Sequence, residues 1–312
     1  MSQMAFVFPG QGSQSIGMLG ELASRYPLII ECFDRVSDTL GFNLWTLLIN
    51  GPLEQLNQTE HTQVAMLTAD VAVFKLLQQL GLPPISMMAG HSLGEYAALV
   101  AADALSITEA AKLVQKRGQL MQETVPLGQG AMAAIVGLEN KDIEAICKEV
   151  STPLEQVSPA NYNAIGQVVI AGHTKAVEHA IQLAISKNAR LAAVIPVSVP
   201  CHCPLLTEAA SLFEEYLQRA PFKVPSLPVI SNVDVSVYES VEQIRHLLKE
   251  QLYRPVRFVE TIQKMQKSGI DFVVECGPGK VLSGLIRRID KSMEAISVNN
   301  IASLDVALLK FK

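Results

Sequence analysis

Gly90-His91-Ser92-Leu93-Gly94 sets a serine between glycines, with an apolar run before it and an Ala/Leu-rich run after it. Residues 85–89 suit a short buried strand, and residues 95–102 suit a helix. A serine on a sharp strand-to-helix turn is held out of the sheet as a nucleophile. The helix N-terminus behind it offers backbone N–H groups and a positive dipole end to an oxyanion. The alternative is a tight turn that happens to contain serine; the flanking strand and helix favour the nucleophile. The chemistry this predicts is acyl transfer or hydrolysis through a serine ester.

A serine nucleophile needs a base, usually histidine. His91 sits inside the turn, so its side chain should point away from that of Ser92. His179 and His246 lie in helices with charged neighbours, and His173 stands where it can cap the next helix. His202, in Pro200-Cys201-His202-Cys203-Pro204, falls where a strand ends and a helix begins, a corner that can face a cleft. A helix N-terminus disfavours imidazolium and keeps such a base neutral. The two thiols beside it invite a zinc reading, but a structural site wants separated ligand pairs, and no partner pair appears. No metal and no cofactor are expected.

No acid between Ser92 and His202 stands out at the end of a main-sheet strand. A dyad in which a carbonyl or amide orients His202 is therefore expected, and Gln251, at the end of a helix, is a supplier. Arg117 falls on the apolar stripe of its helix, with Ala110, Leu113, Val114 and Met121. A buried guanidinium needs a partner. An internal ion pair, a snorkelling side chain and a two-pronged clamp for a substrate carboxylate all satisfy that need. Gly10-Gln11-Gly12 follows a strand but lacks phosphate-loop spacing, as does Gly277-Pro278-Gly279-Lys280, so nucleotide hydrolysis is unsupported. Gln11 can instead donate to an oxyanion.

The elements that must position these groups read as α/β. Strand 5–8 is followed by alternating strands and amphipathic helices, including a long helix over 62–80. A capping box at Ser106-Ile107-Thr108-Glu109 opens a helix that runs to about 121. This pattern implies a mostly parallel sheet covered by helices. From 127 it changes to strand 132–138, helix 141–150, strands 155–162 and 166–172, helix 174–187 and strand 190–199. That β-α-β-β-α-β order is the ferredoxin-like unit. The expected organisation is a core of residues 1–126 and 200–312 interrupted by a small subdomain of residues 127–199, with a cleft between them. Helix 205–217, strand 228–233, helix 241–252, strand 271–276, helix 280–289 and a strand near 296 complete the core.

The 312 residues are 49% hydrophobic and 18% charged, the composition of a folded globular chain. Net charge of −5 without a dense basic run argues against a nucleic-acid role. No apolar stretch is long enough to span a bilayer, and the first residues lack a signal peptide's pattern. Five cysteines without framework spacing point to free thiols and the cytoplasm.

Together these residues resemble the malonyl-CoA–acyl-carrier-protein transacylases of dissociated bacterial fatty acid synthesis. The resemblance runs through Phe8-Pro9-Gly10-Gln11-Gly12-Ser13-Gln14, Gly90-His91-Ser92-Leu93-Gly94-Glu95, Gln115-Lys116-Arg117-Gly118, Asn161-Tyr162-Asn163, Val199-Pro200-Cys201-His202-Cys203, Gln251-Leu252-Tyr253 and Gly277-Pro278-Gly279-Lys280. It implies a hydrolase-like core with a ferredoxin-like insert, a Ser92 acyl-enzyme and His202 as base. It further implies Arg117 on the malonyl carboxylate, Gln11 with the Leu93 N–H as oxyanion hole, and the Gln251 carbonyl orienting His202. Malonyl-CoA and holo acyl carrier protein would be the substrates. Ala164 stands where many members have serine, and Cys201 replaces a more usual small residue. Arg190, Lys187, Arg287 and Arg288 are candidates to meet an acidic carrier. A serine thioesterase and a non-catalytic carrier- or CoA-binding module are the competing readings.

Overall fold

The computed structural model describes residues 3–197 and 199–311. Strand β1 (Gln3–Phe8) is followed not by alternating elements but by five helices: α1 (Gly20–Arg25), α2 (Leu28–Leu40), α3 (Leu44–Asn50), α4 (Leu53–Leu56) and the long α5 (Thr59–Leu80). Apolar residues in α2 recur at Ile29, Cys32, Phe33 and Val36, a helical period that covers the sheet instead of adding a strand to it. Then come β2 (Ile85–Gly90), α6 (Gly94–Ala101) and α7 (Ile107–Thr124). Ser106 caps α7 by accepting from the Glu109 N–H, while the Glu109 carboxylate goes to Lys112, so only half of the expected capping box forms.

Next are β3 (Gly130–Val136), α8 (Asn140–Val150), β4 (Val157–Ala164), β5 (Gln167–His173), α9 (Thr174–Ser186) and β6 (Leu191–Ile195). Of the strand expected over 190–199 only this part forms, and position 198 lies outside the described residues. After a 3-10 turn (Pro204–Leu206) follow α10 (Thr207–Arg219), β7 (Val229–Ile230), α11 (Val241–Glu250), α12 (Phe258–Lys267), β8 (Ile270–Cys276), α13 (Val281–Ile289), β9 (Glu294–Val298) and α14 (Ile301–Lys310). Helices α12 and α14 are absent from the sequence reading, and β7 is shorter than expected.

Two sheets organise these elements. The first is wholly parallel, in the order β7-β2-β1-β8-β9. In β1, Met4, Phe6 and Phe8 enter one apolar cluster and Ala5 and Val7 another, because alternate residues face opposite layers of helices. The second sheet is antiparallel, in the order β4-β5-β3-β6, as the ferredoxin-like unit requires. One face packs on α8 and α9; the other brings Met132, Ala160, Val169 and Ala171 against Cys203 of the larger unit. The chain after α11 is also tied to β4, since the Tyr162 N–H donates to Val256 and the Val256 N–H to Ala160.

Parallel strands put all their C-terminal ends on one edge, where ligands of open α/β sheets bind. Here Phe8 of β1 pairs with Gly90 of β2, so the loops bearing Gln11 and Ser92 leave the sheet side by side. The chain beyond β7, bearing Asn232, leaves on the same edge.

Candidate active site

Ser92 takes the turn in an unusual backbone state, φ +53°. For a non-glycine residue this costs about 1–3 kcal/mol and persists only where neighbours enforce it. They do so here. The Ser92 N–H donates to Asn232 Oδ1 at 2.7 Å, and Asn232 Nδ2 donates to the Gly90 carbonyl at 2.7 Å. Gly94 must be glycine because a Cβ there would lie 2.0 Å from the Phe8 carbonyl oxygen. As expected, His91 turns away, its Nε2 meeting Asn163 Oδ1 at 2.7 Å and its ring packing on Phe258.

His202 is buried and also has a left-handed backbone, φ +60°. Its Nδ1–H donates to the Gln251 carbonyl at 2.6 Å, which leaves the Nε2 lone pair to face Ser92 Oγ at 2.7 Å. Burial, then the Arg117 charge, push its pKa down to about 3, so the ring is neutral at physiological pH. The thiols of Cys201 and Cys203 point to the Val199 and Pro200 carbonyls. Among the described residues no group of three or more His, Cys, Asp or Glu side chains is arranged to hold a metal ion.

Of the other histidines, His173 occupies the N-cap position of α9, but its ring accepts from the Gln156 N–H instead of capping the helix. His246 faces Glu250 from an exposed position.

Arg117 is only 1% exposed, and neither plain alternative holds for it: it does not snorkel, and no carboxylate contacts it among the described residues. Its guanidinium donates to two neutral amide oxygens, Gln63 Oε1 at 2.9 Å and Gln251 Oε1 at 3.0 Å, and it lies over the Tyr96 ring. Its Nε–H has no partner among the described residues. A buried cation held only by neutral dipoles is a waiting site for an anion.

Ser92, His202 and Gln11 line one cavity of about 450 Å³ between the two sheets, walled by Met132, Ile195 and Leu282. Arg117 is not among the residues that line it. The N–H groups of Gln11 and Leu93 take no protein acceptor among the described residues. The arrangement has a nucleophile, a neutral base, free N–H donors and a buried cation, the parts needed to acylate serine with an anionic acyl group.

Two partners escaped the sequence reading. Glu95 is a fully buried carboxyl that accepts from Gln251 Nε2 at 2.6 Å, the Asn232 N–H at 3.2 Å and the Tyr238 hydroxyl. Its signal was being the one charged residue of α6, Gly94–Ala101, a helix buried along its whole length. Asn232 gave no signal, since nothing near it in sequence marks it.

The acyl transferase domain family matches residues 5–305. The malonyl CoA-acyl carrier protein transacylase of Escherichia coli (strain K12) is 46% identical over 308 residues, 99% of each chain. The solved malonyl CoA-acyl carrier protein transacylase of Coxiella burnetii superposes with a TM-score of 0.97 at 48% identity, covering 99% of this chain and 98% of that one. A solved malonyl-transacylase in complex with its type II PKS acyl-carrier protein gives a TM-score of 0.97 at 47% identity, covering 99% of this chain and 100% of that one.

Proposed function

The chain belongs to the acyl transferase domain family, and we propose that it moves the malonyl group from malonyl-CoA to the phosphopantetheine thiol of acyl carrier protein, supplying fatty acid synthesis. Support comes from the near-full-length similarity to malonyl CoA-acyl carrier protein transacylases and from the relative held in complex with its carrier.

In this reading, His202 Nε2 takes the Ser92 hydroxyl proton as Oγ bonds to the thioester carbonyl carbon. The developing oxyanion meets the N–H groups of Gln11 and Leu93. Collapse breaks the carbon–sulfur bond, and the CoA sulfur leaves with the proton from His202. The carrier thiol then gives its proton to His202 and attacks the Ser92 ester. Ser92 Oγ departs and recovers that proton. The Gln251 carbonyl holds the Nδ1–H tautomer throughout, and Arg117 binds the malonyl carboxylate. No step calls on a metal or redox cofactor.

One observation carries the malonyl assignment: the buried Arg117 cation donates to two neutral amides, and no carboxylate contacts it among the described residues. The test is donor preference. Arg117→Ala should lose discrimination between malonyl-CoA and acetyl-CoA; retained preference would remove Arg117 from the acyl site.

The working division is a core of residues 1–126 and 200–312 with a subdomain of residues 127–199, supported by the separate sheets. The reducing cytoplasm suits the five free cysteines, and no described helix is long and apolar enough to cross a membrane. For the carrier, Lys187, Arg190, Arg287 and Arg288 remain candidates. The latter two lie on α13, whose first turns line the cavity, although Arg287 also donates to the Ala295 carbonyl and Arg288 to Gln167. Charge reversal at these positions should raise the carrier KM and leave the malonyl-CoA KM unchanged.

A further inference from the structure

Gln251 touches the supports of three separate functions. Its backbone carbonyl receives His202 Nδ1–H, its Oε1 receives Arg117, and its Nε2 donates to the Ser92 carbonyl at 3.0 Å and to Glu95 Oε2 at 2.6 Å. The side chain is fully buried, so the amide cannot trade these bonds for water. An amide can be turned over, however, and the two orientations differ only in which end carries oxygen.

Turning it over would point the Nε2 hydrogens at the guanidinium, donor against donor. Two acceptors on the other side oppose this, the Ser92 carbonyl and Glu95 Oε2, and the charged carboxylate makes the shorter bond. An ionised carboxylate is acceptor-only, so it admits the amide NH2 and rejects the amide oxygen. Glu95 is that carboxylate, and it is itself anchored by Tyr238 and by the Asn232 backbone, the residue whose side chain fixes the Ser92 N–H. We propose that Glu95 is a positioning residue for acyl transfer: it locks the Gln251 amide so that its Oε1 holds Arg117 ready for the acyl carboxylate. Glu95 touches neither substrate nor reacting atoms. It acts through Gln251, and its negative charge balances Arg117 at one remove.

This inference rests on the reading of Arg117 as the carboxylate clamp, and its test separates the two. Glu95→Gln keeps size and polarity but offers Gln251 both a donor and an acceptor, so the charge-assisted part of the lock is lost and only the bond to the Ser92 carbonyl still selects the amide NH2 on that side. The kcat/KM for malonyl-CoA reports both arms of Gln251, whereas acetyl-CoA, with no carboxylate for Arg117, reports the His202 arm alone. The malonyl-to-acetyl ratio of Glu95→Gln should fall at least tenfold, in the direction of Arg117→Ala. In a Gln251→Leu background the same substitution should change the ratio by less than twofold, because the relay is already absent.

A Glu95→Gln protein that loses thermal stability and slows equally with both donors would overturn the proposal, as it would mark a merely structural role. A ratio within twofold of the parent, while Arg117→Ala loses it, would overturn the Glu95 relay and leave the clamp standing. A preserved ratio in Arg117→Ala would remove the clamp, and the relay with it. If Glu95→Gln does not fold, Tyr238→Phe takes its place. Removing this donor from the carboxylate should lower the malonyl-to-acetyl ratio at least twofold, and an unchanged ratio would overturn the proposal.

Discussion

His202 Nε2 stands 2.7 Å from Ser92 Oγ, and both residues hold left-handed backbones, φ +60° and +53°. Two strained residues meeting at one hydrogen bond indicate that the surrounding contacts, not local preference, set this geometry. The contacts are identifiable: Asn232 on the Ser92 N–H and the Leu252 carbonyl on the His202 N–H. Replacing His202 with alanine should lower kcat by roughly 10²–10⁴-fold, the usual worth of a general base. Steady-state kinetics with malonyl-CoA and holo carrier protein would check it, and a loss confined to KM would count against the role.

Arg117→Lys is a finer probe than removal. Lysine keeps the charge but not the planar fork that reaches Gln63, Gln251 and an incoming carboxylate together. The kcat/KM for malonyl-CoA should fall about 10–100-fold, roughly 1.4–2.7 kcal/mol. Acetyl-CoA turnover should change little. Equal losses with both donors would show that Arg117 supports the fold and not the acyl group.

The Gln11 loop offers a test that leaves every polar side chain in place. A Cβ on Gly10 would lie 2.5 Å from the His91 carbonyl oxygen, so Gly10→Ala must displace the loop from the Ser92 turn. If the Gln11 N–H stabilises the oxyanion, acylation by malonyl-CoA should slow by about 10²–10³-fold. Pre-steady-state acylation rates would measure it, and an unchanged rate would exclude that N–H.

The pH dependence should not follow an ordinary histidine. His202 is pushed down to about 3, so it stays neutral above that pH and adds no limb near its usual value. Glu95 is the group moved toward neutrality, raised to about 7 by burial against the lowering pull of Tyr238, Gln251, Asn232 and Arg117. The titratable or charged groups facing it are Tyr238, Tyr96 and Arg117. Because the ionised form locks Gln251, kcat/KM should rise with pH through about 7, and Glu95→Gln should abolish that limb. Persistence of the limb in the variant would assign it to another group.

Asp70, in the middle of α5, is fully buried with no partner for either carboxyl oxygen among the described residues. Burial and then the neighbouring Glu275 raise its pKa well above the usual carboxylate range. The sign follows: the folded state favours the protonated acid, so its contribution is complete below the unfolded pKa and is lost as pH rises through the folded one. Asp70→Asn should therefore stabilise the protein at pH 8, by about 1–3 kcal/mol, and do little at pH 4. Chemical denaturation at the two pH values would check this, and equal effects at both would contradict it.

The sequence revealed those parts of the site whose residues break a local pattern. Ser92 interrupts a strand–helix junction, Arg117 interrupts an apolar stripe, and His202 sits at a strand-to-helix corner. Glu95 was missed because its partners Asn232, Tyr238 and Gln251 lie 137, 143 and 156 residues away, and only folding brings them together. The same logic holds for the fold. The antiparallel sheet was legible because its strands and helices follow one another closely in the chain. Of the five helices between β1 and β2 only the long α5 was, because α1, α3 and α4 are too short to show a helical period.

The most direct measurement is the intact mass of the protein mixed with malonyl-CoA, before and after adding holo carrier protein. The expected result is one malonyl adduct, mapped to Ser92, that persists in buffer and moves to the carrier. An adduct that decays to free malonate without the carrier, or none on Ser92, would contradict acyl transfer through this serine.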